Sequence, residues 1–145
     1  MGSDNLNIKQ RVKIVCEIAG MNLGDVGFKM GMSQSTFSTR LKTGKFTKDE
    51  LMQIAEILNC KYISYFKFDD GSIISANSTG DEIKRACEYA QMSATELGRK
   101  MGVTQPAISR KLKTGKFTHD ELNRIAGMIG CDYESRFEFD NGVKV

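Results

Sequence analysis

The sequence predicts a mainly α protein: two tandem four-helix units, each followed by a short β-hairpin, joined as a pseudo-twofold single-chain dimer. Three observations carry this prediction. The chain repeats itself, for Leu41-Lys42-Thr43-Gly44-Lys45-Phe46-Thr47 recurs letter for letter as Leu112-Lys113-Thr114-Gly115-Lys116-Phe117-Thr118. With a shift of about 71 residues, roughly 30 of about 65 aligned positions are identical. Apolar residues recur at helical spacing between capping signals through most of each copy. Each copy then ends in alternating aromatics around an Asp-Gly or Asn-Gly step, the strongest short hairpin signal. The copies put the first unit at 6–74, a small polar linker at 75–78 and the second unit at 79–145. Units of this size fold alone only marginally, so each leans on its twin.

The first helix of the first copy carries the stripe Ile8, Val12, Val15 and Ala19, and its counterpart carries Ile83, Ala86 and Ala90. Thr79 with Glu82 reads as a capping box, in which each side chain bonds the other's unsatisfied backbone N–H. Ser93 with Glu96 reads as another, with Leu97 and Met101 inward; Asn22 and Asp25 replace the pair in the first copy, with Val26 and Met30 inside. A glycine follows each of these short helices, Gly31 or Gly102, and glycine takes the left-handed conformation that closes a helix. A new N-cap comes directly after, Ser33 or Thr104. Two helices joined by so short a turn make a helix-turn-helix. The helix after the turn spans 34–43 and 105–114, with Phe37 and Leu41, or Ile108 and Leu112, on its buried side. Thr47-Lys48-Asp49-Glu50 and Thr118-His119-Asp120-Glu121 start a fourth helix that buries Leu51, Ile54, Ala55 and Leu58, or Leu122, Ile125, Ala126 and Ile129. Their acids sit in the first turn, where the helix dipole favours them, and read as structural.

The hairpins are Tyr65-Phe66-Lys67-Phe68 with Ser72-Ile73-Ile74, and Phe137-Glu138-Phe139 with Val143-Lys144-Val145. A lone two-stranded hairpin is scarcely stable, so the two are expected to pack or pair with each other. Their phenylalanines read as core or interface rather than as base-stacking platforms.

Composition narrows the function classes. Net charge is +3, too small to prove a nucleic-acid partner. No stretch approaches about 18 apolar residues, which argues against a membrane span. No signal segment is expected, and Met1-Gly2-Ser3 reads as an expression scar. Cys16 and Cys60 recur as Cys87 and Cys131, and no Cys-x-x-Cys is present; with His119 as the single histidine, zinc spacing is missing. The thiols read as small buried groups in a reducing cytoplasm. No metal, cofactor or catalytic constellation is expected, and the chain reads as a binding protein, not an enzyme. Thr43-Gly44-Lys45-Phe46 lacks the earlier glycine and the Ser or Thr of a phosphate loop.

Met30-Gly31-Met32-Ser33-Gln34-Ser35-Thr36-Phe37-Ser38 and Met101-Gly102-Val103-Thr104-Gln105-Pro106-Ala107-Ile108-Ser109, each followed by an Asp-Glu-Leu-x-x-Ile-Ala helix, resemble the lambda-repressor and Cro-like family, also called the xenobiotic-response-element type. The likeness covers about 50 residues of each copy. It implies that the helix after the turn lies in the DNA major groove. Gln34, Ser35, Ser38 and Thr39, and Gln105, Pro106, Ser109 and Arg110, are then the base-reading set. A glutamine amide bonds adenine N6 and N7, and Arg110 fits a guanine by a bidentate pair that Thr39 cannot make. Two different half-sites are implied. Arg40, Lys42 and Lys45, and Lys111, Lys113 and Lys116, are the phosphate set, on two stretches without an acid. The Gly44 and Gly115 amides are candidate helpers there.

The copies also depart from the family. The glutamine that many members carry early in the helix before the turn is Leu23 or Ala94 here. Gly24 and Gly27 weaken the short helix of the first copy by up to about 1 kcal/mol each against alanine, and Gly27 matches Gly98, which suggests close helix packing. Phe28 stands where the second copy has Arg99, and reads as either a lost DNA contact or a gained protein contact. Two readings stay open. One is a sequence-specific binder of double-stranded DNA acting as a repressor on an imperfect inverted repeat. The other is the same scaffold turned to binding a protein, as an antirepressor or mobile-element inhibitor would. A further homodimer through the hairpins also stays open.

Overall fold

The computed structural model describes residues 6–145, so Met1-Gly2-Ser3 lies outside the described residues. The described chain is mainly α, with eight helices and a small three-stranded antiparallel sheet ordered β2-β1-β3. The helices are α1 (Ile8–Ala19), α2 (Leu23–Lys29), α3 (Gln34–Thr43), α4 (Lys48–Ile57), α5 (Thr79–Tyr89), α6 (Ala94–Met101), α7 (Gln105–Thr114) and α8 (His119–Ile129). The strands are β1 (Lys61–Lys67), β2 (Ile73–Ile74) and β3 (Asp132–Glu138). No helix among the described residues is long and apolar enough to cross a membrane.

The chain divides into two compact units, and they do not coincide with the sequence repeats. Unit 1 takes the described residues up to Ile63 together with Arg136–Val145; unit 2 takes Ser64–Ser135. Each therefore draws the end of a strand from across the repeat boundary.

Unit 1 holds α1 to α4. Asn7 caps α1 and Thr47 caps α4, both as full capping boxes. The core gathers Ile8, Val12, Val15 and Cys16 of α1, Val26 of α2, Phe37 and Leu41 of α3, and Leu51, Ile54 and Ala55 of α4 around the buried Phe46. Ala19, expected in the α1 stripe, is exposed. It is the last residue before the left-handed Gly20, where the chain turns away, and Cys16 takes the inward place. Phe137 and Val145 belong to this same core. The Phe137 ring lies 5.0 Å from that of Tyr62. The Val145 N–H donates to the Phe137 carbonyl at 2.9 Å, and the Phe137 N–H donates back at 3.1 Å. The buried Arg11 guanidinium donates to a Val145 oxygen from Nε at 3.2 Å and from Nη2 at 3.0 Å. That supplies the polar partner a buried cation requires.

Unit 2 holds α5 to α8. Ser78, expected in the linker, is the N-cap of α5 and accepts from the Asp81 N–H. Thr79 is already helical and Glu82 is fully buried, so the Thr79–Glu82 capping box is not formed. Ile83, Ala86 and Cys87 of this helix are buried. Ser93 caps α6 through the Glu96 N–H, but the return bond from the Glu96 side chain to the Ser93 N–H is not made. The core gathers Ile83, Leu97, Ile108, Leu112, Leu122 and Ile125 around Phe117, and it includes Phe66. Phe66 meets Tyr133 at 5.3 Å between ring centroids. The β1–β2 hairpin pairs Phe66 with Ile74 and Lys67 with Ile73. Its turn is fastened by Tyr89, whose hydroxyl donates to Asp70 and lies 2.9 Å from Ser72 Oγ. That bond and the Ser72 N–H hold the Asp70 carboxyl below its ordinary pKa.

Phe66 and Phe137 are fully buried as expected, while Phe68 and Phe139 are half-buried. All four cysteines are unbridged, and Cys16 and Cys87 are buried. Burial pushes both of those thiols up to about 11, which makes them poor nucleophiles.

Candidate nucleic-acid interface

In unit 1 the turn between α2 and α3 spans 30–33. Gly31 takes the left-handed conformation there, at φ 78°. Ser33 then caps α3, accepting from the Thr36 N–H at 3.2 Å. α2 and α3 pack at glycine distance: a Cβ on Gly27 would stand 2.7 Å from Phe37 Cγ. The ring therefore fixes the rotation of α3. Phe37 and Leu41 point inward, and Gln34, Ser35, Ser38, Thr39 and Lys42 are exposed, with Lys45 just past the helix end.

Unit 2 repeats the local arrangement. The turn between α6 and α7 spans 102–104, with Gly102 left-handed and Thr104 capping α7 through the Ala107 N–H. A Cβ on Gly98 would stand 2.9 Å from Ile108 Cγ2. Ile108 and Leu112 are buried, and Gln105, Pro106, Ser109, Arg110, Lys113 and Lys116 are exposed. Pro106 sits in the first turn, where a missing N–H costs no hydrogen bond.

Two members of the phosphate set have another engagement. Arg40 is ion-paired with Glu50, and Lys111 with Glu121 at 3.1 Å. Lys111 Nζ also donates to the Lys116 carbonyl at 3.2 Å and lies 4.6 Å from the Phe117 ring centroid. Burial alone would raise the Glu121 carboxyl, but the Thr118 N–H and Lys111 outweigh it and hold it below its ordinary pKa. A lowered folded-state value means that the cap and the ion pair together stabilise unit 2 above the unfolded-state pKa, and that this help is lost as pH falls through the folded value. Glu50 and Glu121 thus cap one helix and brace the helix before it. Sequence reasoning assigned only the cap. The available signal was the shared spacing of ten residues from Arg40 to Glu50 and from Lys111 to Glu121.

The candidate helper amides are already used. The Gly44 N–H donates to the Arg40 carbonyl and the Gly115 N–H to the Lys111 carbonyl, each at 2.8 Å. Those bonds close α3 and α7, so neither amide is left to offer a phosphate. Phe28 is 82% exposed, on the α2 side of a groove that α3 walls with Gln34 and Ser38. Leu23 and Ala94, at the places of the family glutamine, are half-buried and bring no hydrogen-bonding group.

What α3 and α7 present is a set of amides, hydroxyls and cations on two rigid helices. Each is fixed by an N-cap, a glycine contact and an ion pair. Such faces suit hydrogen bonding to a ligand surface and attraction of anions. No group of histidine, cysteine and acidic residues among the described residues is placed to hold a metal ion. No protein-family model, curated protein or solved structure matches the chain.

Proposed function

We propose that the chain is a cytoplasmic, sequence-specific binder of double-stranded DNA that regulates transcription as a repressor. In this reading it is a pair of tandem helix-turn-helix units of the lambda-repressor and Cro-like type, acting as a pseudo-twofold single-chain dimer. The observation that carries the reading is the outward face of α3 and α7. Both helices expose a glutamine at the start, a serine one turn on and a lysine beyond it, and neither carries an acid. The major groove admits an α-helix and shows a distinct donor and acceptor pattern at each base pair. Two such helices about 34 Å apart would enter successive major grooves on one face of the duplex. Bound there, the chain excludes other proteins from an imperfect inverted repeat.

The roles divide by position. Gln34, Ser38, Gln105, Ser109 and Arg110 read base edges. Lys42, Lys45, Lys113 and Lys116 grip phosphates, while Arg40 and Lys111 brace the helices that carry them. Arg110→Ala is expected to cost about 1–3 kcal/mol against guanine in one half-site and to leave the other half-site unchanged. A binding series over single base changes, at one stated salt concentration, checks this. Equal relaxation in both halves contradicts it. Lys113→Ala should weaken all sequences alike and reduce the salt slope by about one unit. An unchanged slope removes Lys113 from the phosphate set.

One observation favours a second reading. Phe28 stands almost wholly in solvent beside the base-reading face of α3, and exposed aromatics are common anchors of protein interfaces. In that reading the first copy binds a protein. A stable protein complex that survives Arg110→Ala and Lys113→Ala but fails with Phe28→Ala selects it.

A further inference from the structure

We infer that the groove between α2 and α3 of unit 1 binds a small, uncharged, ring-bearing molecule, and that this occupant competes with nucleic acid for Gln34 and Ser38. The binding half stands on the groove itself, and the competition half rests on the proposed DNA reading.

The groove has a volume of about 470 Å³. Small-molecule sites commonly run from about 300 to 1,000 Å³, are mostly apolar, and hold a few placed polar groups. This one matches that description. Leu23, Phe28, Met32, Phe37 and Leu41 supply the apolar surface, and no charged residue lines it. An ion entering there would lose water without meeting an opposite charge, so the lining favours a neutral occupant. Gln34 and Ser38 stand on the α3 wall. The amide brings both donors and an acceptor, and the hydroxyl adds one of each. Together they favour a molecule with a donor and an acceptor on one edge.

Two glycines make the room. Gly27 lets the Phe37 ring settle against α2, and Gly24 leaves the α2 side of the groove without a side chain. The Phe28 ring is 82% exposed, and burying an aromatic face is favourable. A flat ring laid against it gains that burial.

The second copy serves as an internal control. Thr95 stands at the place of Gly24, Arg99 at that of Phe28, and Ala94 at that of Leu23. Gln105 and Ser109 keep the polar pair, and Val103, Ile108 and Leu112 keep apolar residues at the places of Met32, Phe37 and Leu41, so it is the Phe28 ring and the open place at Gly24 that are particular to the first copy. An occupant of the groove would shield Gln34 and Ser38 and leave Arg110 untouched.

The test uses the full chain, labelled with nitrogen-15, and benzamide as the probe, with benzoate as its charged analogue. Benzamide is expected to shift the amide signals of 23–41 saturably and to leave those of 94–112 in place, with benzoate weaker by about tenfold. Gly24→Leu fills the groove, and the backbone admits it, since a Cβ there meets only Asn22 Oδ1 at 3.4 Å. Phe28→Ala removes an exposed ring and is a second variant that keeps the core intact. Each should weaken benzamide by about tenfold, while Thr95→Leu leaves it unchanged. No saturable shift at 23–41, or shifts that survive both variants, overturns the site. Saturating benzamide should then weaken binding to a duplex that the chain has been shown to bind. A duplex held equally well with the groove filled overturns the competition. A chain that binds benzamide but no duplex overturns the DNA reading and leaves the groove standing.

Discussion

Gly80→Ala is expected to cost unit 2 roughly 3 kcal/mol, the upper end of what overpacking a well-filled core does. A Cβ at Gly80 would stand 1.9 Å from the Leu112 carbonyl oxygen and 3.0 Å from its carbon. Both are backbone atoms, so no rotamer change relieves the clash. Either α5 or α7 has to move, and α7 carries Gln105, Ser109 and Arg110. For a unit of this size the loss amounts to a fall of about 12–24 °C in Tm. Thermal unfolding followed by circular dichroism measures it. Gly127→Ala is the matched control, because Gly127 lies within α8 with nothing within 4 Å of its would-be Cβ. That change should stabilise by up to about 1 kcal/mol through helix propensity. If both variants melt like the parent, the close approach of α5 to α7 is not there.

The second large effect concerns Phe137. It is fully buried in the core of unit 1, against Tyr62, although it lies in the second sequence repeat. Phe137→Ala should cost about 3–5 kcal/mol, since it removes a large side chain from a filled core. The informative readout is where the loss falls. Hydrogen exchange should quicken first at amides of α1 and α4, which share that core, and later at those of α5 and α8. Phe66→Ala should do the reverse, because Phe66 is buried in unit 2 against Tyr133. A loss from Phe137→Ala confined to α5 and α8 contradicts the exchange of strand ends.

Neither the close approach at Gly80 nor the placing of Phe137 was readable in the sequence. The bounds of α3 and α7 were, because local signals flank them: Ser33 and Thr104 as N-caps, Gly44 and Gly115 as left-handed closers. The same holds for the capping boxes at Thr47 and Thr118 and for the outward set on both helices. The start of α5 was ambiguous. Ser78 and Asp81 have the same spacing as Thr79 and Glu82, and only the burial of Glu82 and Ile83 decides between them. The strand exchange was not legible, because Phe66 and Phe137 are the same residue at equivalent repeat positions. Each suits either core, so no local pattern says which core receives which ring. The braces from Arg40 and Lys111 were hidden for a related reason. They cross a helix boundary, where the 3.6-residue period of one helix predicts nothing. They also change the reading of the candidate site, since they hold two cations that sequence alone gives to phosphates.

A selection of binding sites from random duplex DNA, run with the full chain at one stated low salt concentration, decides whether α3 and α7 read a duplex together. The expected result is an enriched site of two unlike halves in inverted orientation, their centres about 10 base pairs apart, with guanine specified in one half only. Recovery of no sequence above background, with no duplex retained in dilute salt, would contradict it.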